Sequence, residues 1–312
     1  MKTRAHRAFS RRLAGAALVL AMLIAALAAS VAIALAADQQ RWFAGVAGRR
    51  DAVQAQALAL AGIQWARQIM RDDARAGTLD HLGEPWAFPL PPTPIENGAI
   101  EGRIEDAQGR INVNNIVSVN MLGATELARL VRLWSRFAVP LTTLPAIADW
   151  LDADGVPRAS GAEDPTYAQA LSTVLTANAP LVRTGELTAV HGFGSLHFTR
   201  LAPFIAALPV GTTLNVNTAL PEVLSAAVAG LDGDALATFI VERERKPFTT
   251  VAEFRARLPR GLTFDNESAF GTSSSFFLVT VRARQGLAVA QARALLKRGG
   301  RDWPAVVWQT LE

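Results

Sequence analysis

From Ala16 to Ala37 the chain reads AALVLAMLIAALAASVAIALAA, twenty-two residues without a charge, a Gly or a Pro. A helix rises about 1.5 Å per residue, so this run is roughly 33 Å long and can cross a hydrocarbon core of about 30 Å. Before it stands MKTRAHRAFSRRLAG, with Lys2, Arg4, Arg7, Arg11 and Arg12 and no acid. After it nothing breaks the helix. Val53, Ala57, Leu60, Ala61, Ile63 (or Gln64), Trp65 and Ile69 recur at helical spacing and predict one apolar face on a long stalk. Gly45 and Gly48 lower helix propensity and allow a kink, and Gly77 is the expected stop.

The formal charge of +4 belongs to the leader. Removing its five cations leaves 26 of the 31 Lys and Arg against 27 acids, so the body carries −1. That balance argues against an electrostatic nucleic-acid binder. Positive flanks remain cytoplasmic, which places the body outside the cytoplasm. The chain has no cysteine, excluding thiol catalysis, disulfides and Cys-type zinc sites. Its histidines are His6, His81, His191 and His197.

Four readings compete for the N-terminus. Ala34-Leu35-Ala36 offers a small-x-small signal-peptidase site, Ser10-Arg11-Arg12-Leu13 a twin-arginine signal, and the apolar run a signal anchor. The run exceeds the usual h-region of about 7–15 residues, and no polar break follows it. The fourth reading is a prepilin-type signal, cut between Gly15 and Ala16 with the apolar helix retained. Its usual Glu at the fifth mature position is here Leu20.

Beyond the stalk, five prolines between Pro85 and Pro94 predict a stiff extended connection without regular structure, pinned by Trp86 and Phe88. Ile100 and Ile104 mark a half-buried strand that turns at Asp106-Ala107-Gln108-Gly109. Ser275–Arg284, Leu287–Leu296 and Trp303–Leu311 read as three antiparallel strands joining it in one sheet, with its apolar face against the stalk.

Between these strands the signals are helical, and they repeat. INVN from Ile111 is echoed by LNVN from Leu214, each followed by a helix; the Asn side chains suit local turns and caps. Leu187-Thr188-Ala189-Val190…Phe193 similarly echoes Phe248-Thr249-Thr250-Val251…Phe254. Two tandem modules are expected, at about 111–208 and 211–265. Gly192-Phe193-Gly194 forms the turn of a helix-hairpin-helix, whose amides face phosphate in DNA-binding versions; a plain helix pair is the alternative.

One loop is chemically suited to a ligand. Asp149, Asp152, Asp154, Glu163 and Asp164 gather five carboxylates in sixteen residues, a hard-oxygen set suited to Ca²⁺. Counting from Asp152, Val156 falls at position 5 and Pro157 replaces the Gly of position 6, which rejects an EF-hand. The alternative is a solvated loop with Asp149 capping and Arg158 pairing locally. Walker A, HExxH and GxSxG motifs are all missing, leaving a carboxylate-dependent hydrolase without a signature.

Several of these segments together resemble the K-type minor pseudopilins of bacterial type II secretion systems, the general secretion pathway protein K family. They are the leader ending Arg12-Leu13-Ala14-Gly15, the run His81 to Ala87, and Gly102-Arg103-Ile104-Glu105-Asp106 with Gly109 to Asn114. Asp149-Trp150-Leu151-Asp152 and Gly161-Ala162-Glu163-Asp164 complete the set. The resemblance implies an α+β fold: a pilin-like long helix on a small antiparallel sheet, with a large all-α insertion of two helix-hairpin-helix-like modules. It divides the chain into leader 1–15, transmembrane helix 16–37, stalk and first strand 38–110, helical insertion 111–265 and C-terminal strands 266–312.

It also implies a non-enzymatic subunit at the pseudopilus tip, held in the inner membrane with a periplasmic body, that starts assembly. Processing by the prepilin peptidase and methylation follow, as do I- and J-type partners beside the H-type and major pseudopilins. Calcium in the helical domain would draw on the acidic loop. Leu20 fits, because this class lacks the Glu that pairs with a preceding subunit's amine. A membrane-anchored DNA-binding module remains the rival expectation.

Overall fold

The computed structural model describes residues 3–118, 121–169, 175–264, 266–300 and 302–312, with side chains from Ala16 onward except Met121. Helix α1, Thr3–Ala76, runs without interruption through Gly45 and Gly48. The Gly77 N–H bonds to Asp73 O at 3.1 Å just past the helix end.

Five antiparallel strands make the main sheet: β1 (Leu90–Ile95), β2 (Gly98–Asp106), β7 (Phe276–Gln285), β8 (Ala288–Lys297) and β9 (Ala305–Leu311), in the order β1-β2-β7-β8-β9. Residues near the N-terminal end of the sheet segment thus pair with the C-terminal strands, Ile104 opposite Val279 and Gly102 opposite Val281. β7 alternates as its sequence predicts: Phe277, Val279 and Val281 are buried beneath α1. Gly286 turns β7 into β8 with φ +55°, and Leu287 at the tip is fully exposed.

Two expectations fail here for clear reasons. The proline stretch does contain a strand, because β1 is an edge: Pro91, Pro92 and Pro94 need no ladder donor on the open side, and the register shifts between Leu90 and Thr93. Trp86 is buried against Phe277, ring centroids 5.2 Å apart, but Phe88 is exposed and pins nothing. The stalk's buried face matches the expected one only in part: Ile63 is buried and Leu60 and Ile69 pack against the same core, but Val53, Ala57, Ala61 and Trp65 do not. Ala55, Ala59, Ile63, Ala66 and Met70 contact the sheet, whereas Val53 is 65% and Trp65 51% exposed. Close packing selects small residues over large ones. A Cβ on Gly62 would lie 2.6 Å from Val281 Cγ1.

The segment from Ile111 to Gly271 is inserted between β2 and β7. The first part holds β3 (Ile111–Asn112), α2 (Met121–Arg136), α3 (Thr143–Leu151), α4 (Asp164–Gln169), α5 (Gly194–Leu201) and β4 (Ile205–Ala206). The second holds β5 (Leu214–Asn215), α6 (Pro221–Ala227), α7 (Gly233–Arg245), α8 (Val251–Ala256) and β6 (Phe270–Gly271). Each part closes on a short parallel pair, β3 with β4 and β5 with β6. One continuous core runs through both, including Trp134, Phe193, Phe239, Phe248 and Phe254.

The Asn repeats fasten these closures. Asn114 Nδ2 donates to Leu181 O at 3.0 Å, and its Oδ1 accepts from Leu181 N at 2.9 Å. Asn217 holds Phe248 in the same two-way manner, at 2.9 and 2.8 Å. This equivalence corrects the second echo. Leu181 through Leu187, not Leu187 through Phe193, corresponds to Phe248 through Phe254. Glu186 and Glu253 then match, each accepting backbone N–H bonds from the start of its segment.

Candidate metal centre and buried joint

The acidic loop begins at the end of α3 and returns at the start of α4. Asp149, on the last turn of α3, is fully buried. It accepts from the Arg158 backbone N–H at 3.1 Å and from Arg158 Nη1 at 2.6 Å. The returning chain passes so close that a Cβ on Gly161 would lie 1.8 Å from Asp149 Oδ2, so only glycine fits there. Ala162 and Glu163 follow it into the interior, each at most 2% exposed. Glu163 O then accepts from Thr166 N at 2.7 Å, starting α4. Tyr167 packs edge-on against Trp150, and its hydroxyl accepts from His191 N at 3.0 Å. The loop is thereby tied to the Gly192 turn of the same module.

The five carboxylates separate by role. Asp152, Asp154 and Glu163 each bring an oxygen within 4.8 Å of the others, the one such group of three among the described residues. Asp149 faces Arg158. Asp164 is exposed and accepts from Thr176 N at 2.9 Å and Thr176 Oγ1 at 2.6 Å. Within the convergent trio, Asp152 Oδ1 and Glu163 Oε1 are buried without a hydrogen-bond partner. Orphaned buried acceptors are costly, and a hard divalent cation satisfies them. Burial raises the Glu163 carboxyl above its ordinary value, helped by the nearby charges of Asp149, Asp152 and Asp154. The donor set therefore fits Ca²⁺ chemically.

A second polar cluster, unforeseen from the sequence, sits where stalk, sheet and helical insertion meet. Asp106 at the end of β2 is buried and accepts from Gln108 N, Asn215 Nδ2, Thr218 Oγ1 and Ser274 Oγ, all within 2.6–2.9 Å. Asp80 receives a forked contact from Arg298 Nη2 at 2.6 and 2.5 Å, and Arg298 Nη1 pairs with Asp73 on the last turns of α1. Asn215 also donates to Asp80 O at 3.1 Å. Burial lifts Asp73 to about 6, with repulsion from Glu84 adding to it. Burial likewise lifts Asp80 to about 6 against the opposing pull of Arg298. The signal available in sequence was the first Asn of LNVN. Its neighbours in space are too distant in the chain to be read from spacing.

At the N-terminus, Gly15 and Ala16 lie within α1, and Leu20 is 60% exposed on it. Among the described residues α1 alone is long and apolar enough to cross a membrane, judged by length and composition. Gly192 and Gly194 adopt φ +75° and +63°, the left-handed geometry their turn requires.

A long apolar helix laid over a small antiparallel sheet, carrying an inserted helical domain, defines the pilin-like class of membrane-anchored subunits. Two family models described as type II secretion system protein K match residues 109–210 and 214–271. Type II secretion system protein K of Pseudomonas aeruginosa is 31% identical over 277 residues, covering 85% of this chain and 83% of that protein. The Klebsiella pneumoniae protein is 29% identical over 318 residues, covering 95% and 96%. Among solved structures, a chain of the GspK-GspI-GspJ complex from enterotoxigenic Escherichia coli superposes with a TM-score of 0.75. That match has 22% identity and covers 86% of this chain and 99% of the other. The chain belongs to the type II secretion system protein K family and is a minor pseudopilin of that machinery.

Proposed function

We propose that this minor pseudopilin caps the tip of the type II secretion pseudopilus, starts its assembly and has no enzymatic role. The observation that carries the reading is the likeness to a chain solved within a GspK-GspI-GspJ complex, over almost the whole of that chain. By extension, I- and J-type subunits are the immediate partners here, with the H-type and major pseudopilins below them. A bulky helical domain inserted between β2 and β7 suits a position above which no subunit stacks. Leu20 suits it too, since a subunit with nothing before it has no amine to pair with a membrane-buried acid.

In this reading the prepilin peptidase cuts between Gly15 and Ala16. The cationic leader stays cytoplasmic and the body lies in the periplasm. The chain divides functionally into leader 1–15, membrane helix 16–37, stalk and first strands 38–110, insertion 111–265 and closing strands 266–312. Asp152, Asp154 and Glu163 would hold a structural Ca²⁺, with Asp149 and Asp164 supporting the loop from either side. The comparisons lend the DNA-binding alternative no support.

The deciding experiment is co-expression with I- and J-type subunits and the prepilin peptidase, followed by detergent extraction and intact-mass measurement. A ternary complex in which this chain starts at Ala16 is expected. Purification free of both subunits, or a start near Ala37, would overturn the proposal.

A further inference from the structure

Asp152 is held by one oxygen only. Its Oδ2 accepts from Arg158 Nη1, while Oδ1 is buried without a partner. The same Nη1 contacts Asp149 Oδ1 at 2.6 Å, and the Arg158 backbone N–H donates to Asp149 Oδ2 at 3.1 Å. Arg158 is thus fixed by backbone and side chain to a carboxylate buried in α3. That carboxylate is itself wedged in place by Gly161, where no side chain fits.

Resting on the calcium reading, we propose that Arg158 is the positioning residue of the loop's cation site. It neutralises Asp149, which removes that carboxylate from the set. It also grips Asp152 by Oδ2, which leaves the other oxygen free beside Asp154 and Glu163. Groups that orient metal ligands from behind change affinity by roughly 10–100-fold when removed.

Electrostatics alone predicts the opposite sign. A guanidinium bonded to Asp152 repels a divalent cation nearby, so a mere bystander would weaken calcium binding and its removal would strengthen it. The two accounts therefore separate cleanly in a titration.

The experiment is isothermal titration of the detergent-solubilised full chain with CaCl₂, comparing wild type, Arg158→Gln, Arg158→Lys and the pair Asp154→Asn with Glu163→Gln. Calcium binding by wild type, its loss in the paired variant and about tenfold weaker binding by Arg158→Gln are expected. Arg158→Lys should fall between, because an ammonium keeps the charge but not the planar fork.

Arg158→Gln strands the Asp149 charge and could disturb the fold. The double variant Asp149→Asn, Arg158→Gln removes that charge and must still bind calcium more weakly than wild type. Calcium-free circular dichroism checks that it is folded. Wild type that binds, beside an Arg158→Gln that binds equally or more tightly, overturns the positioning role alone. Wild type that does not bind overturns the calcium reading and this inference with it.

Discussion

Glycine 161 shows how one buried carboxylate dictates its neighbours. The Asp149 oxygen occupies the space a side chain would need, so Gly161→Ala forces either the loop outward or Asp149 away from Arg158. We expect a loss of about 1–3 kcal/mol in a denaturant melt, in the range of overpacked core sites. Arg298 is the corresponding hub at the joint, where it faces Asp73 and Asp80 and covers the Phe277 ring at 4.8 Å. Arg298→Gln strands two carboxylates at that buried joint and should cost about 3–5 kcal/mol.

The pH dependence of that joint has a definite sign. Asp73 and Asp80 titrate near 6 in the folded chain, above their ordinary 3.8. Between those values the folded chain holds more protons than the unfolded one. These groups therefore favour folding more as pH falls from above 6 towards 4. Calorimetric melts at pH 7.5 and 5 should show a higher melting temperature at pH 5 from this source. The difference should shrink when Asp73 and Asp80 are both changed to Asn.

At the scale of elements, the stalk lies on the sheet through alanines and Gly62 because their small size lets two backbones approach. Gly62→Ala places a methyl 2.6 Å from Val281 Cγ1 and should cost about 1–3 kcal/mol. Val281→Ala opens that space. The double variant should be more stable than the sum of the single losses predicts, a coupling read by a double-mutant cycle. No rescue would mean that the stalk shifts freely over the sheet. The apolar periodicity of the stalk placed Leu60, Ile63 and Ile69 correctly and misplaced Val53 and Trp65 for the same reason. Hydrophobicity ranks Val53 and Trp65 above Ala55 and Ala59, whereas burial ranks them below. β1 was illegible for another cause: proline bars a strand from a sheet interior but not from its edge.

Across the whole molecule, two sets of contacts among the described residues stand out where the helical insertion meets the pilin-like part. One is the polar joint around Asp106. The other is the small apolar cluster of Ala107, Ala206, Leu208, Phe276 and Leu295. Asn215 of the insertion bonds the Asp80 carbonyl, and Arg298 links the Asp80 carboxylate to Asp73 on the last turn of α1.

The membrane run Ala16–Ala37, the continuous stalk, the alternating strands of the C-terminus and the twofold Asn repeat could all be read from the sequence. Each is a periodic or local signal, expressed within one element. The density of carboxylates between Asp149 and Asp164 was equally plain, but their division of labour was not. Tertiary structure alone turned Asp149 to Arg158 and Asp164 to Thr176, and left Asp152, Asp154 and Glu163 facing one another. It alone brought Asp80, Asp106, Asn215 and Arg298 together from four distant segments. Sequence spacing fixes which side of a helix or strand a residue occupies. Which buried charge meets which partner depends on how the elements close over one another.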